Sequence, residues 1–347
     1  MLPVISCIMS NYNTEPVMFR KALDSVLQQT YRDFELILID DKSTDLESRK
    51  VVEEYARRDS RVVAIYNTEN QGLAGSLNIG LKWARGKYIA RFDTDDICVA
   101  NRFERQIEYM EKKNADICST FSHLFGDYDR VVSTCFISFE SVAVQMLFSC
   151  YIYHTPVMMK HSFLEENGLT YDVRFDGAED FDLFSRCREA GAKICIMPEV
   201  MFHYRLHSSS VCHTQNTKQV KLSREICKRQ LDNMQVGYDS DEWKCHQVLC
   251  NLKEFSVDMY EAVDEWCKKL LKINDKKEIF DKKSFEKVVY NRFFTSIVRS
   301  NCSRREKFCL IIRNRKLCSW TNTYSAIYKK IFAFSYKLRG RGCNANY

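Results

Sequence analysis

The chain has 347 residues, 45% of them hydrophobic and 28% charged, with only eleven glycines and four prolines. That composition excludes collagen-like and low-complexity chains, and the length allows two domains or one large domain with an appendage. The net charge of +6 is uneven: from Asn301 to Tyr347 eleven Lys and Arg accompany one acid, Glu306, so the preceding chain is net acidic.

The first 120 residues alternate between two periods. Val4–Met9 is a short apolar run and reads as a buried strand; Phe19, Ala22, Leu23, Val26 and Leu27 then recur at helical spacing. Phe34–Ile39 is a second strand, and Val51, Val52, Tyr55 and Ala56 stripe a charged helix. Arg61–Tyr66 is a third strand; Leu73, Leu77, Leu81 and Ala84 mark a helix; Tyr88–Phe92 is a fourth strand. Strand–helix alternation with short connections predicts an α/β fold with a central, mostly parallel sheet, whose ligands bind at the carboxyl ends of the strands. Polar residues stand there: Ser10–Asn13 after the first strand, Asp40–Ser43 after the second, Asp93–Asp96 after the fourth. Beyond about Thr214 the strand pattern stops and Lys/Glu-rich segments such as Val220–Gln235 and Asp258–Ile273 read as helices. The expected domains are therefore 1–215 and a mainly helical 216–347.

Sixteen cysteines run from Cys7 to Cys343 with no CxxC pair, so neither a disulfide scaffold nor a zinc site is expected. Met1-Leu-Pro leads straight into a strand, which leaves no room for a signal peptide and predicts a reducing, cytosolic compartment. The best apolar stretch, Val142–Met159, is broken by Gln145, Ser149, His154 and Pro156, and reads as core rather than a membrane span.

Two segments carry chemistry. Carboxylates as dense as Asp93, Asp95 and Asp96 repel one another unless a cation or water sits among them, and hard oxygens without nearby Cys or paired His suit Mg²⁺ or Mn²⁺. An EF-hand is excluded by Ile97 at its fifth position and Cys98 at its glycine position. A solvated acidic turn is the bland alternative. The second segment is Glu179-Asp180, which on its own reads first as an acid pair favoured at a helix N-terminus. The glycines of Gly72–Gly86 fit neither a dinucleotide nor a phosphate-loop spacing.

Val4–Asn13, Leu27–Asp45, Asn70–Gly80 and Ala84–Gln106, continued by His154–Met158, Gly177–Asp180 and His203–Ser208, resemble the family 2 glycosyltransferases. The subgroup most similar assembles bacterial O-antigen, capsule and exopolysaccharide repeat units on a lipid carrier. The resemblance covers about residues 1–215 and implies the GT-A nucleotide-diphospho-sugar transferase fold. It implies that Asn11 and Tyr12 line the nucleotide pocket, that Asp41 accepts a hydrogen bond from a uracil or thymine N3–H, and that Asn78, Arg85 and Arg91 lie near the nucleotide and diphosphate. Asp95 would face ribose or metal, Asp96 would hold Mn²⁺ or Mg²⁺ with His207 as a further ligand, and Asp93 would share those tasks. Asp180, next to Glu179 in the donor-sugar site, would be the base of an inverting transfer.

The expected activity is transfer of one hexose, galactose or glucose in β linkage, from a UDP-sugar to N-acetylhexosamine-diphosphoundecaprenol in surface-polysaccharide synthesis. A GDP- or dTDP-sugar donor such as a rhamnose donor, a sugar nucleotidyltransferase and a non-catalytic membrane scaffold are the alternatives. The Gln-x-x-Arg-Trp signature of processive synthases is absent. In 301–347 cations interleave with Phe308, Leu310, Ile311, Ile312, Trp320, Tyr324, Tyr328, Phe332, Phe334 and Tyr336. Such a segment suits an anionic membrane surface, and predicts peripheral attachment to the cytoplasmic face of the cell membrane rather than nucleic-acid binding.

Overall fold

The computed structural model describes residues 2–126, 129–206 and 217–318. All four strands expected in the first 120 residues are present, each end within two residues. In chain order β1 (Ile5–Asn11), α1 (Pro16–Leu27), β2 (Phe34–Asp40), α2 (Leu46–Arg58), β3 (Val62–Tyr66), α3 (Gly72–Trp83) and β4 (Tyr88–Arg91) alternate. Local chemistry sets the helix ends. Glu15 accepts hydrogen bonds from Val17 and Met18 N–H at the start of α1, where Pro16 has no N–H to leave unpaired.

Then follow β5 (Ile97–Cys98), α4 (Arg102–Lys113), β6 (Ile117–Gly126), β7 (Arg130–Val132), α5 (Phe139–Gln145), β8 (Met158–Lys160), α6 (His161–Glu166), α7 (Glu179–Glu189) and β9 (Ile194–Leu206). The sheet runs β3-β2-β1-β4-β8-β6-β9-β5, with β7 paired to β6. β3, β2, β1 and β4 are mutually parallel, as are β6 and β9; β8 is antiparallel to both β4 and β6. Residues Leu36–Ile39 are fully buried, as expected of a strand covered on both faces. Gly80 lets α3 pack tightly on that sheet, since a Cβ there would fall 2.4 Å from Ile8 Cγ2.

The chain divides into two compact units, Met1–Ile226 and Cys227–Tyr347, later in the sequence than the boundary expected at 215. After β9 the helices are α8 (Thr217–Asn233), which runs across that boundary, α9 (Ser240–Leu249), α10 (Tyr260–Lys277), α11 (Lys282–Arg299), α12 (Arg304–Ile312) and α13 (Arg315–Cys318). Among the described residues the cysteines from Cys7 to Cys309 are free thiols, most of them buried, including Cys7, Cys118, Cys195 and Cys267. Among the described residues no helix is long and apolar enough to cross a membrane. In α12 Leu310 and Ile311 are buried and supply core, while Ile312 is 50% exposed. Trp320 and the aromatics after it lie outside the described residues.

Candidate active site

The carboxyl ends of β1 and β2 are in register, with Asn11 opposite Asp40. Asn11 is fully buried and its amide is committed: Nδ2 donates to Asp40 Oδ1 and Ser43 Oγ, both at 3.1 Å, while Oδ1 accepts from Thr14 N–H and Ser48 Oγ. It therefore braces two loops instead of lining the nucleotide pocket, because an amide with four bonds has nothing left for a ligand. Asn13 repeats the stitch from the same loop, accepting from Thr44 and Asp45 N–H at 2.8 and 2.9 Å. Tyr12, held between these two asparagines, is 51% exposed and presents its ring at the rim. Asp41 is buried; its Oδ1 accepts from Asn67 Nδ2 at 2.7 Å and Gln71 N–H at 2.8 Å. Among the described residues no hydrogen bond reaches its Oδ2, which keeps that oxygen able to accept one.

Arg91 ends β4 inside the protein, 3% exposed. Its Nη1 donates to Thr155 Oγ1 at 3.0 Å and is ion-paired with Asp93, and Thr155 in turn donates to Asp93 Oδ2 at 2.5 Å. Burial works to lower the guanidinium pKa, but the charge and hydrogen bond of Asp93, with Tyr171 and Glu179, together outweigh it and hold Arg91 above its usual value. So Arg91 fixes Asp93 from behind and is too buried to meet a diphosphate itself. Thr94 Oγ1 meets Thr14 Oγ1 at 2.7 Å and ties this loop to the one after β1.

Asp96 is fully buried. Its Oδ1 accepts Arg205 N–H at 2.9 Å, the Thr155 hydroxyl lies close by, and among the described residues no well-formed hydrogen bond reaches Oδ2. Burial, followed by the charges of Asp93 and Asp95, pushes its carboxyl well above the usual range. A buried oxygen with no donor beside two further acids is costly unless a cation completes the site. The donor set fits a hard divalent ion that takes one or two carboxylates and finishes its shell with phosphate oxygens. Among the described residues no three His, Cys, Asp or Glu side chains group closely enough to hold a metal on their own. His207, the further expected ligand, lies outside the described residues. Arg205, not among the expected site residues, donates from Nε to the Asp95 carbonyl at 3.1 Å and lies 4.6 Å above the Phe125 ring.

Glu179 opens α7, with Asp180 and Asp182 also in its first turn. Glu179 is buried, its Oε2 accepts Gly177 N–H at 2.7 Å, and burial followed by the Asp180 charge pushes it up to about 7. Asp180 is half-buried; its Oδ1 accepts Phe181 N–H at 2.7 Å, and burial raises its pKa against the pull of that bond and of Arg91. The neighbouring acids are accounted for structurally. Asp182 is fully buried against Arg186 at 2.7 Å, and Asp176 meets Lys218 at 3.2 Å.

Two expected residues are not brought to this rim. Arg85 precedes β4 by three residues, so it stands at the amino rim, where Nε donates to Glu35 Oε2 at 3.0 Å and its N–H to Ser6 Oγ. Ser6 and Asn11 are five residues apart along β1, which puts the two rims roughly 16 Å apart. Asn78 is spent inside the fold: its amide makes a two-way clamp on the Tyr171 backbone, at 2.7 and 2.9 Å. Tyr171 and His154, joined at 2.9 Å close to Glu179, were not singled out by the sequence reading. Nor was Thr155, although it stands in the His154–Met158 stretch that carries part of the resemblance.

Comparison with known proteins agrees with this architecture. Residues 6–150 match the family described as Glycosyl transferase family 2. The chain is 30% identical over 209 residues to the uncharacterized glycosyltransferase MJ1057 of Methanocaldococcus jannaschii, covering 59% of this chain and 71% of that one. It is 29% identical over 211 residues to the Escherichia coli UDP-Glc:alpha-D-GlcNAc-diphosphoundecaprenol beta-1,3-glucosyltransferase WfaP, covering 60% and 80%. The fold superimposes on S. aureus TarS 1-349, crystallised with UDP-GlcNAc, with a TM-score of 0.54 over 95% of this chain and 82% of that one, at 16% identity. The architecture is thus the GT-A fold, and the chain is an enzyme that belongs to glycosyl transferase family 2.

Proposed function

We propose that this glycosyltransferase moves a single hexose, glucose or galactose, with inversion, from a UDP-sugar to an N-acetylhexosamine carried on undecaprenyl diphosphate in surface-polysaccharide synthesis. The observation that carries it is the unsatisfied Asp96 Oδ2, a buried carboxylate oxygen waiting at the rim where Tyr12 and Asp41 also stand. Asp41 Oδ2 accepts the uracil N3–H and Tyr12 lies against the base. Asp96 and Asp95, with His207, would hold Mn²⁺ or Mg²⁺, which when bound neutralises charge on the departing nucleoside diphosphate. Arg91 and Thr155 keep Asp93 aimed at the same region.

Asp180 accepts Phe181 N–H at Oδ1 and also bonds the Cys150 thiol, so a carboxyl held in place from two sides takes the proton of the acceptor hydroxyl. The deprotonated acceptor oxygen bonds to the anomeric carbon as the bond from this carbon to the β-phosphate oxygen breaks, and UDP leaves with the electron pair. The donor and acceptor classes follow those in the printed name of the Escherichia coli relative. A lipid-linked acceptor calls for a membrane surface, and the basic 301–347 segment is the part of the chain suited to one.

Calorimetric titration with UDP, GDP, dTDP and CMP, each with and without Mn²⁺, tests the reading. Manganese-dependent binding of UDP alone is expected. A win by GDP or dTDP would replace the donor, and no binding by any nucleotide to folded protein would remove the enzyme reading of this rim.

A further inference from the structure

A phenol, an imidazole and a carboxyl group lie end to end beside the proposed base. Tyr171 is buried ahead of α7, and the two-way Asn78 clamp from α3 fixes where its ring hangs. Its hydroxyl meets His154 Nε2 at 2.9 Å, and the two rings pack with centroids 5.5 Å apart. Phe184 of α7 packs edge-on against the imidazole at 6.1 Å. The other imidazole nitrogen, Nδ1, faces Glu179 Oε1 at 3.8 Å.

The proton positions follow from satisfying this chain. A buried hydroxyl places its proton on an acceptor, and among the described residues the Tyr171 hydroxyl has His154 Nε2 as its one partner. Burial, followed by the nearby charge of Arg91, holds His154 well below its ordinary pKa, so the ring is neutral. With Nε2 accepting from tyrosine, the single imidazole proton sits on Nδ1, the nitrogen turned toward Glu179.

We infer that Tyr171 and His154, anchored by Asn78, are positioning residues for the Glu179-Asp180 pair: they aim one N–H at Glu179 and hold its carboxyl back on Gly177, leaving Asp180 as the carboxylate that faces the acceptor. The inference rests on the reading of Asp180 as the base. Glu179 and Asp180 face Arg91 from β4, Cys150 and His154 from the segment before β8, Tyr171 ahead of α7, and each other. An N–H directed at Glu179 favours its charged form, and a charged Glu179 makes its neighbour Asp180 the stronger base.

The test uses the full chain labelled with ¹⁵N-histidine, with His154 assigned by its loss in His154→Asn. Long-range ¹H–¹⁵N spectra should show a neutral ring protonated on Nδ1 and silent between pH 5.5 and 8.5. In Tyr171→Phe, which keeps the ring and removes one oxygen, the proton population should move toward Nε2. In transfer from UDP-glucose to a synthetic N-acetylglucosamine-diphosphate lipid, Tyr171→Phe should lower kcat by roughly tenfold, keep KM for UDP-glucose within about twofold, and move the acid limb of the kcat profile to lower pH. A His154 that carries its proton on Nε2, or titrates near its ordinary value, overturns the inference. So does an acid limb that stays in place in Tyr171→Phe. A parent enzyme that transfers nothing from UDP-glucose contradicts the proposed donor and acceptor instead, and the tautomer measurement still decides the role of His154.

Discussion

At the amino rim of the sheet the charges around its cavity are paired: Arg85 lies on Glu35, Lys87 on Glu111 at 2.6 Å, and Lys160 on Asp116 at 3.0 Å. A cavity of about 330 Å³ opens there among Arg85, Lys87, Lys160, His161 and Glu165, yet its cations are already paired. At the carboxyl rim the same sheet leaves charge unfinished. Among the described residues Asp40 Oδ2 and Asp96 Oδ2 are buried with no hydrogen-bond partner, and Glu179 is pushed up to about 7. An unpaired buried polar atom costs on the order of 1–3 kcal/mol, so a fold that satisfies one rim and not the other has kept the second for a ligand. The volume of a cavity is therefore a poorer guide to this site than the state of its hydrogen bonds.

The largest effect that would sharpen this contrast is loss of the base. Asp180→Asn should lower kcat by roughly 10²–10⁴-fold while UDP affinity stays at the parent value, read by transfer assay and calorimetry. Next comes Asp41→Asn. Replacing a charged acceptor should weaken UDP binding by roughly tenfold or more, and parent-like affinity would show that the base lies elsewhere.

A smaller effect concerns stability. Glu179 titrates near 7 in the native state against an ordinary 4.5, so the folded protein keeps a proton that the unfolded chain releases. That contribution is fully present below about pH 4.5 and is lost as pH rises through 7. Glu179→Gln should therefore gain roughly 2–3 kcal/mol over the parent at pH 8 in urea unfolding, shrinking toward zero by pH 5. Equal gains at both pH values would mean that Glu179 is not the strained group. The smallest functional effect belongs to the satisfied rim: Arg85→Gln should lower Tm by leaving Glu35 short of its partner, with UDP affinity within about twofold. A larger loss of affinity would break the contrast between the rims.

Period and turn chemistry made the four parallel strands legible, because each is a buried apolar run ended by polar residues. The same logic found the rim, and so Tyr12, Asp41 and the Asp93–Asp96 cluster. What it could not show is which polar residues spend their bonding capacity inside the protein. Asn11 and Asn78 look like ligand-facing amides in a string of letters, and only the fold reveals their partners Asp40, Ser43 and Tyr171. Arg85 was misplaced for a topological reason, since a residue just before a parallel strand enters at the amino rim. Thr155 escaped notice because it stands 62 residues from the Asp93 it serves, and the 109 residues between Arg205 and Asp96 hid their pairing. The swap from helical cover to antiparallel β8 and the return of β9 beside β6 likewise depend on long-range pairing that no local pattern encodes.

The central claim is that two acid centres on one rim have separate tasks, nucleotide and cation at Asp96, proton at Asp180. The most direct measurement is a calorimetric titration of UDP, with and without Mn²⁺, into Asp96→Asn and Asp180→Asn side by side. The account predicts that Asp96→Asn loses the manganese-dependent part of binding, by at least about tenfold, while Asp180→Asn binds as the parent does. Parent-like, manganese-dependent binding by Asp96→Asn would contradict it.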